Sequence, residues 1–256
     1  MISRERRPTS RRWALLGAAL ILLGWQLLAL RLGPLLMATP WQTVLAMAGL
    51  PFEADFRLHA GVSLLRIALG VGLGCALGFG LGLLAGLDER LRGLLEPLRW
   101  LLMATPPVVV VVLAMLWFGL GSAMVIFISV LMLAPGMYVN TVKGMLMVDR
   151  DLLEMTRVYR FSPWQRLRHL YVPALAAPLG AALLIATCAG VRLVVMAEVL
   201  GAESGAGFAL ANARSTFDSA GLYAWTLLIL LLVAGLEFAL LQPLQRRMGR
   251  WQVAHA

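Results

Sequence analysis

Four charged side chains fall within otherwise apolar stretches: Arg66, Arg192, Glu198 and Glu237. A charge facing lipid costs several kcal/mol, so each must face protein or water, which makes it a candidate for a solute path, a proton relay or an ion pair. Arg192 and Glu198 are six residues apart, about 9 Å along a helix and on different faces, so they make poor partners without help from a neighbouring helix. Two readings of Arg192 stay open: it supplies positive potential to a passing anion, or it is one half of an internal ion pair.

Other chemistry is absent. His59, His169 and His255 have no ligand spacing, and no His-Glu-x-x-His occurs, so no metal site is expected. There is no Gly-x-Ser-x-Gly, and Lys143, the only lysine, precedes a glycine rather than following one, so no phosphate-binding loop can be assembled. No nucleophile has a convincing base, which argues against an intramembrane enzyme. Cys75 and Cys188 each sit in an apolar run as small hydrophobes and define no disulfide framework.

The elements that position these residues follow from composition. The chain has 256 residues, 61% hydrophobic and 14% charged, outside ordinary soluble usage. Apolar runs cover residues 13 to 32, 61 to 87, 100 to 118, 122 to 140, 179 to 200 and 222 to 243, lengths that cross a hydrocarbon layer of about 30 Å as helices. The expected fold is an all-α integral membrane protein with about six transmembrane helices. The first run resembles a signal peptide, but it is long and no A-x-A-like site follows it, so it is expected to stay as a helix.

The net charge of +9 reflects orientation rather than a nucleic-acid partner, because no basic face carries interleaved stacking aromatics. With both termini in the cytoplasm, residues 1 to 12, 88 to 99, 141 to 178 and 244 to 256 hold 17 of the 22 basic residues. The outer loops hold Arg31, Arg57 and Arg214. The expected organisation is a basic N-terminus (1–12), a first transmembrane helix with a periplasmic segment (13–60), a transmembrane core (61–243) containing the cytoplasmic loop 141–178, and a cytoplasmic tail (244–256).

Gly70, Gly74, Gly78, Gly82 and Gly86 recur at every fourth residue of the second run. Such a stripe lets another helix approach closely, either as fixed packing or as a sliding surface. Thr105-Pro106-Pro107 removes two helix donors, so a break or re-entrant start, or a helix that begins after Pro107, is expected there. A break in the membrane survives only inside protein or along a watery cavity, which makes Pro106 and Pro107 pathway candidates beside Arg192 and Glu198.

Between the fourth and fifth runs, residues 149 to 173 read as two short helices, the first capped by Asp149 or Asp151 and the second by Ser162 before Pro163. A polar helix-turn-helix on an apolar bundle has nothing of its own to pack on, so a soluble partner is the natural inference.

This segment resembles the permease subunits of bacterial ABC importers, whose cytoplasmic loop carries an E-A-A, Gly, Pro signature that docks on the ATPase. Leu64-Leu65-Arg66, Leu95-Glu96-Pro97, Pro106-Pro107, Leu116-Trp117-Phe118-Gly119-Leu120-Gly121, Ala197-Glu198-Val199-Leu200-Gly201-Ala202 and Ser204-Gly205-Ala206-Gly207 look like the nitrate, sulfonate, taurine and bicarbonate branch over about residues 58 to 251. The resemblance implies a permease in the bacterial inner membrane, half of a pathway for a small anionic solute of that class. Its implied partners are ATP-binding cassette ATPase subunits, a second permease copy, a periplasmic substrate-binding protein and membrane lipid. It also implies a short cytoplasmic coupling helix, with Glu154, Thr156, Arg160, Ser162, Trp164, Arg166, Arg168 and His169 as the candidate ATPase contacts. No cofactor is expected in this chain, ATP being bound by the partner subunit.

The chain departs from the family pattern in three places. Met155 and Thr156 stand where two alanines are usual, and Arg160 replaces a glycine suited to a left-handed turn. An arginine there either bears about 1 kcal/mol of strain or bends the loop differently. Residues 103 to 112 keep only the double proline of a pattern richer in proline, with an arginine and a tryptophan, which predicts a smoother, more apolar passage. The rival reading is a secondary transporter using Arg192, Glu198 and Glu237 as a relay, but its inverted repeats are not seen.

Overall fold

A computed structural model describes residues 9–236 and Phe238, and among them it contains helices and no strand. Glu237, His255, the tail 244–256 and most of the basic stretch 1–12 lie outside the described residues. The helices in chain order are α1 (Thr9–Leu32), α2 (Pro40–Gly49), α3 (Phe56–Leu87), α4 (Glu89–Ala104), α5 (Pro107–Phe118), α6 (Ser122–Leu146), α7 (Arg150–Val158), α8 (Pro163–Arg166), α9 (Val172–Gly201), α10 (Ala206–Ser215) and α11 (Ser219–Leu236). A 3₁₀ turn, Leu50–Phe52, follows α2, and a π-helical turn, Leu167–Tyr171, joins α8 to α9.

Among the described residues, five helices are long and apolar enough to cross a membrane: Trp13–Leu32, Phe56–Leu87, Ser122–Leu146, Pro178–Gly201 and Ser219–Leu236. The sixth expected span, 100 to 118, takes another form. Thr105 ends α4 in an extended conformation, and α4 and α5 bend by 101° about the prolines. Alone, the 12 residues of α5 rise only about 18 Å, too short for the hydrocarbon core. The bent pair together makes the sixth apolar element. Residues 88 to 99, expected to lie in the cytoplasm between two spans, belong mostly to α4, a helix capped by the Asp88 carboxylate, which accepts from the Arg90 N–H at 2.8 Å.

The chain divides into two compact units. Met1–Arg57 and Ala209–Ile229 form one, holding α1, α2 and most of α11. Within it the Trp25 indole donates to the Ala38 carbonyl at 2.9 Å and its ring lies 5.7 Å from that of Tyr223. Thr39 and Gln42 form a reciprocal capping box that starts α2. Ten-residue helices such as α2 and α10 fall below spanning length, and the apolar-run criterion passes over them.

Leu58–Phe208 and Leu230–Ala256 form the other unit, whose centre is α6 with α3, α5 and α9 against it. Met124, Val125 and Ile128 of α6 are fully buried. The glycine stripe of α3 faces α6 along its length: a Cβ at Gly70 would lie 2.5 Å from the Ser129 Cβ, and one at Gly82 2.6 Å from the Thr141 Cβ. Gly74 meets Val130 and Leu133, Gly78 meets Ala134 and Met137, and Gly86 meets Met145. Gly72 and Gly80, between them in sequence, have open space around them. In lipid, where no hydrophobic force draws helices together, this backbone approach supplies the dispersion contacts that hold α3 to α6.

The expected second short helix in 149 to 173 does not stand alone. From Pro163 the backbone stays helical through the π turn into α9, so the elbow has one free helix, α7, and then a continuous helical run to Gly201. Pro173 has no N–H, and its ring would clash with the carbonyl four residues back in a regular α-helix; a wider π turn immediately before it relieves that conflict.

Candidate functional site

Arg66, on α3, is 2% exposed and Glu198, near the end of α9, is 1% exposed. Such burial is tolerable only with polar partners close by, and here each guanidinium nitrogen and both carboxylate oxygens have one. The Arg66 Nη1 donates to Glu198 Oε1 at 2.8 Å and to the Ser204 carbonyl at 2.6 Å, Nη2 donates to Ser204 Oγ at 3.1 Å, and Nε donates to Ser122 Oγ at 3.0 Å. One helical turn before Arg66, the Ser63 hydroxyl lies 2.8 Å from both Glu198 oxygens and accepts from the Ala206 N–H at 2.7 Å.

The Gly207 N–H donates to Glu198 Oε2 at 2.9 Å, so the carboxylate also sits on the N-terminus of α10, where the helix dipole favours negative charge. Two glycines make this possible. Gly205 has φ +111, and a Cβ on it would collide with the Glu198 carboxylate; a Cβ on Gly207 would lie 2.5 Å from the Val195 carbonyl. The Ser204-Gly205-Ala206-Gly207 run therefore folds over the carboxylate because its backbone carries no side chain where the two meet.

Arg192 has a different setting. Its side chain is exposed and makes no hydrogen bond or ion pair with any described residue. It lines an open cavity of about 500 Å³ together with Met103 and Thr105 at the end of α4, Pro107 at the start of α5, Met132 of α6 and Met196 of α9. Of the four pathway candidates, Pro107 and Arg192 meet at this cavity. Pro106 is the hinge residue beside it, accepting from the Val109 N–H at 3.0 Å, and Glu198 is held in the buried cluster instead. The partner of Glu198 is Arg66 rather than Arg192.

The elbow is built from two caps. The Asp149 carboxylate accepts from the Asp151 N–H at 3.0 Å, which makes Asp149 the cap of α7. Ser162 and Gln165 form a capping box at α8: the Gln165 N–H donates to Ser162 Oγ at 3.2 Å, and the Ser162 N–H donates to Gln165 Oε1 at 2.8 Å. Between them Arg160 has φ +51, and the Phe161 N–H donates to the Thr156 carbonyl at 2.9 Å. This is the Schellman closure that glycine normally serves, so the arginine adopts the left-handed turn rather than rerouting the loop.

Glu154, Trp164, Arg168 and His169 are exposed on the elbow, while Thr156 is buried with its hydroxyl donating to the Leu153 carbonyl at 2.7 Å. The Arg166 Nε is buried and has no hydrogen-bond partner among the described residues. Sequence reasoning singled out Arg66 and Glu198 and named Ser204 only as part of a motif, but missed Ser63 and Ser122. The available signal was two opposite charges in apolar runs, each with small polar residues nearby.

A buried ion cluster, an arginine-bearing cavity at a broken helix and a capped polar elbow now stand together on one helical scaffold. Residues 78–250, more than half of the chain, match the family described as the binding-protein-dependent transport system inner membrane component. The chain belongs to this family. It is similar to the putative aliphatic sulfonates transport permease protein of Bacillus subtilis, 28% identical over 97% of this chain and 92% of the relative. The taurine transport system permease protein of Escherichia coli is 28% identical over 91% of this chain and 87% of its own length. Among solved structures, the inward-facing MetNI methionine ABC transporter matches with a TM-score of 0.68 at 17% identity, covering 77% of this chain and 98% of that one, a likeness of fold.

The protein is the transmembrane permease subunit of an ATP-driven ABC importer of the inner membrane. It is not itself catalytic: ATP hydrolysis lies in a separate subunit, and a binding protein works with it. This placement sets aside the secondary-carrier alternative.

Proposed function

We propose that two copies of this permease pair in the inner membrane, termini in the cytoplasm, and pass a small anionic solute of the sulfonate or taurine class along a path that includes the Arg192 cavity. The observation that carries this reading is Arg192 itself, a cation without a described partner at a cavity beside the broken α4–α5 helix. Nothing in the described structure neutralises that guanidinium, so an anion entering the cavity meets an unpaired positive charge. Met103, Met132 and Met196 give the rest of the cavity soft, adaptable walls suited to a small aliphatic body. Similarity to sulfonate and taurine permeases supports the same solute class.

The elbow is the coupling element in this reading. Exposed Glu154, Trp164, Arg168 and His169 form its ATPase-facing contacts, with Arg160 and Ser162 holding its shape and Thr156 and Arg166 supporting from within. ATP binds the partner subunit, and this chain holds no cofactor. Closure of the ATPase pair would move the two elbows together and change the side from which the cavity is reached.

Reconstituted with its ATPase subunits and binding protein, the Arg192→Gln variant is expected to assemble normally and to lose at least tenfold in solute uptake, with Arg192→Lys retaining part of it. Normal uptake by Arg192→Gln in correctly assembled transporter would remove the arginine from the path.

A further inference from the structure

A second crevice adjoins the Arg192 cavity, sharing Leu102 with it, and lies between α3, α4 and α6 with a volume of about 130 Å³. Its lining is almost wholly apolar, including Leu77 and Leu81 of α3, Leu98 of α4 and Leu131 of α6. Two further lining residues, Arg99 and Tyr138, are polar, and a third, Pro135, alters the polarity of the backbone.

Tyr138 is 6% exposed and its hydroxyl has no hydrogen-bond partner among the described residues. Pro135 has no N–H to give the Leu131 carbonyl one turn before it, so that acceptor also lacks its usual helical donor. Arg99 donates through Nε to Glu96 Oε2 at 3.0 Å and through Nη2 to the other carboxylate oxygen, but its Nη1 meets only the weakly accepting Met103 sulfur at 3.4 Å.

Water is a poor tenant for so apolar a crevice, because a buried water needs two to four polar partners close together. The ligand that suits it has a hydrocarbon segment, ester or hydroxyl oxygens and a negative charge. α4 gives the place a membrane-surface character: Leu94, Leu98, Trp100 and Leu101 are exposed on a helix that also carries Arg90, Arg92 and Arg99, the last two paired with Glu89 and Glu96. Trp100 sits beside Arg99, with the guanidinium 5.7 Å from its ring centroid, the kind of aromatic found at headgroup depth. Arg99 Nη1 lies outside the Glu96 pair, and arginines between membrane helices are a recurrent setting for anionic headgroups.

We propose that this crevice binds an anionic glycerophospholipid. Part of one acyl chain lies against Leu77, Leu81 and Leu131, the phosphate accepts from Arg99 Nη1, an ester carbonyl accepts from the Tyr138 hydroxyl, and a headgroup hydroxyl is the donor that suits the Leu131 carbonyl. The occupant wedges α4 against α3 and α6 next to the 101° bend that borders the solute cavity. The proposal rests on membrane embedding alone, so a failed Arg192 uptake test leaves it standing.

The test is native mass spectrometry of the assembled transporter taken from nanodiscs of equimolar phosphatidylglycerol and phosphatidylcholine. Wild-type protein is expected to retain phosphatidylglycerol at least tenfold over phosphatidylcholine, Arg99→Gln to lose that preference, and Leu81→Trp, which fills the crevice, to lose the tightly held lipid altogether. Should Leu81→Trp fail to assemble, Arg99→Gln decides the matter alone, since it replaces a side chain at the edge of the crevice. Equal retention of both lipids by wild type, or a preference that survives Arg99→Gln, overturns the proposal. So does displacement by millimolar inorganic phosphate, which would mark a free-phosphate site. Loss of pairing between two permease copies in Leu81→Trp with lipid retention unchanged would likewise overturn it, by assigning the crevice to the second copy.

Discussion

Arg66 and Arg192 are both guanidiniums in apolar helices, and the protein treats them in opposite ways. Arg66 is enclosed, with Nε, Nη1 and Nη2 all engaged by Glu198, Ser122 and Ser204, and the loop after α9 wraps over the pair. Arg192 is exposed at a cavity and answered by no described residue. An ion pair so enclosed is shut off from a solute, whereas a lone cation keeps all of its charge available. Intramembrane charge is therefore not one signal: completeness of the surrounding hydrogen bonds separates the residue that holds the fold from the one that is available to it.

The sharpest way to break this comparison is to remove half of the enclosed pair. Glu198→Gln or Arg66→Met leaves a buried charge uncompensated and is expected to destabilise the protein by about 3–5 kcal/mol, read as lost folded yield and a lower midpoint of unfolding in mixed micelles. The double replacement Arg66→Met with Glu198→Leu should recover a large part of that loss. A double variant no better than the singles would mean that the serines and the α10 N-terminus, rather than the ion pair, dominate the cluster.

A smaller effect extends the contrast between closed and open surfaces to the glycine stripe. Gly78→Leu, set against Ala134 and Met137, is expected to cost about 1–3 kcal/mol or more by overpacking, while Gly80→Leu, with open space around it, should leave the unfolding midpoint in place. Equal sensitivity at both positions would show that the stripe is covered on both faces in the assembled transporter. Smaller again, Arg160→Gly relieves a left-handed turn and should stabilise the elbow by about 1 kcal/mol, visible as slower proteolysis between α7 and α8. The smallest stability effect belongs to Arg192→Ala, within about 0.5 kcal/mol of wild type in the same micelles, because no described contact is lost. A large destabilisation there would return Arg192 to a structural role and erase the comparison.

The long helices α1, α3, α6 and α9 were readable because continuous apolar length is a direct imprint of bilayer thickness. The cap at Ser162 was readable, and that of α7 was narrowed to Asp149 or Asp151, because caps depend on neighbours within three residues. What escaped depends on register between distant segments. Arg66 and Glu198 lie 132 residues apart, and nothing in either run reveals that α3 and α9 bring them to the same depth. The 101° bend was half visible: Thr105-Pro106-Pro107 predicts an interruption but not its angle, which packing sets. The merger of the elbow's second helix with α9 was hidden for a related reason, since the prolines at 173 and 178 read as boundaries and the π turn that accommodates the first is a backbone adjustment with no side-chain signature.

That π turn carries a mechanical consequence. From Pro163 to Gly201 the backbone is one rod, with Trp164 near its foot, Arg192 on its shaft and Glu198 near its tip. A thrust delivered at the foot finds no slack loop in which to dissipate, so the tip is carried with it unless the wide turn at Leu167–Tyr171 yields. Because Glu198 ties that tip to Arg66, the rod is anchored far from where it is driven, and its least regular turn is the joint where a stroke becomes a tilt.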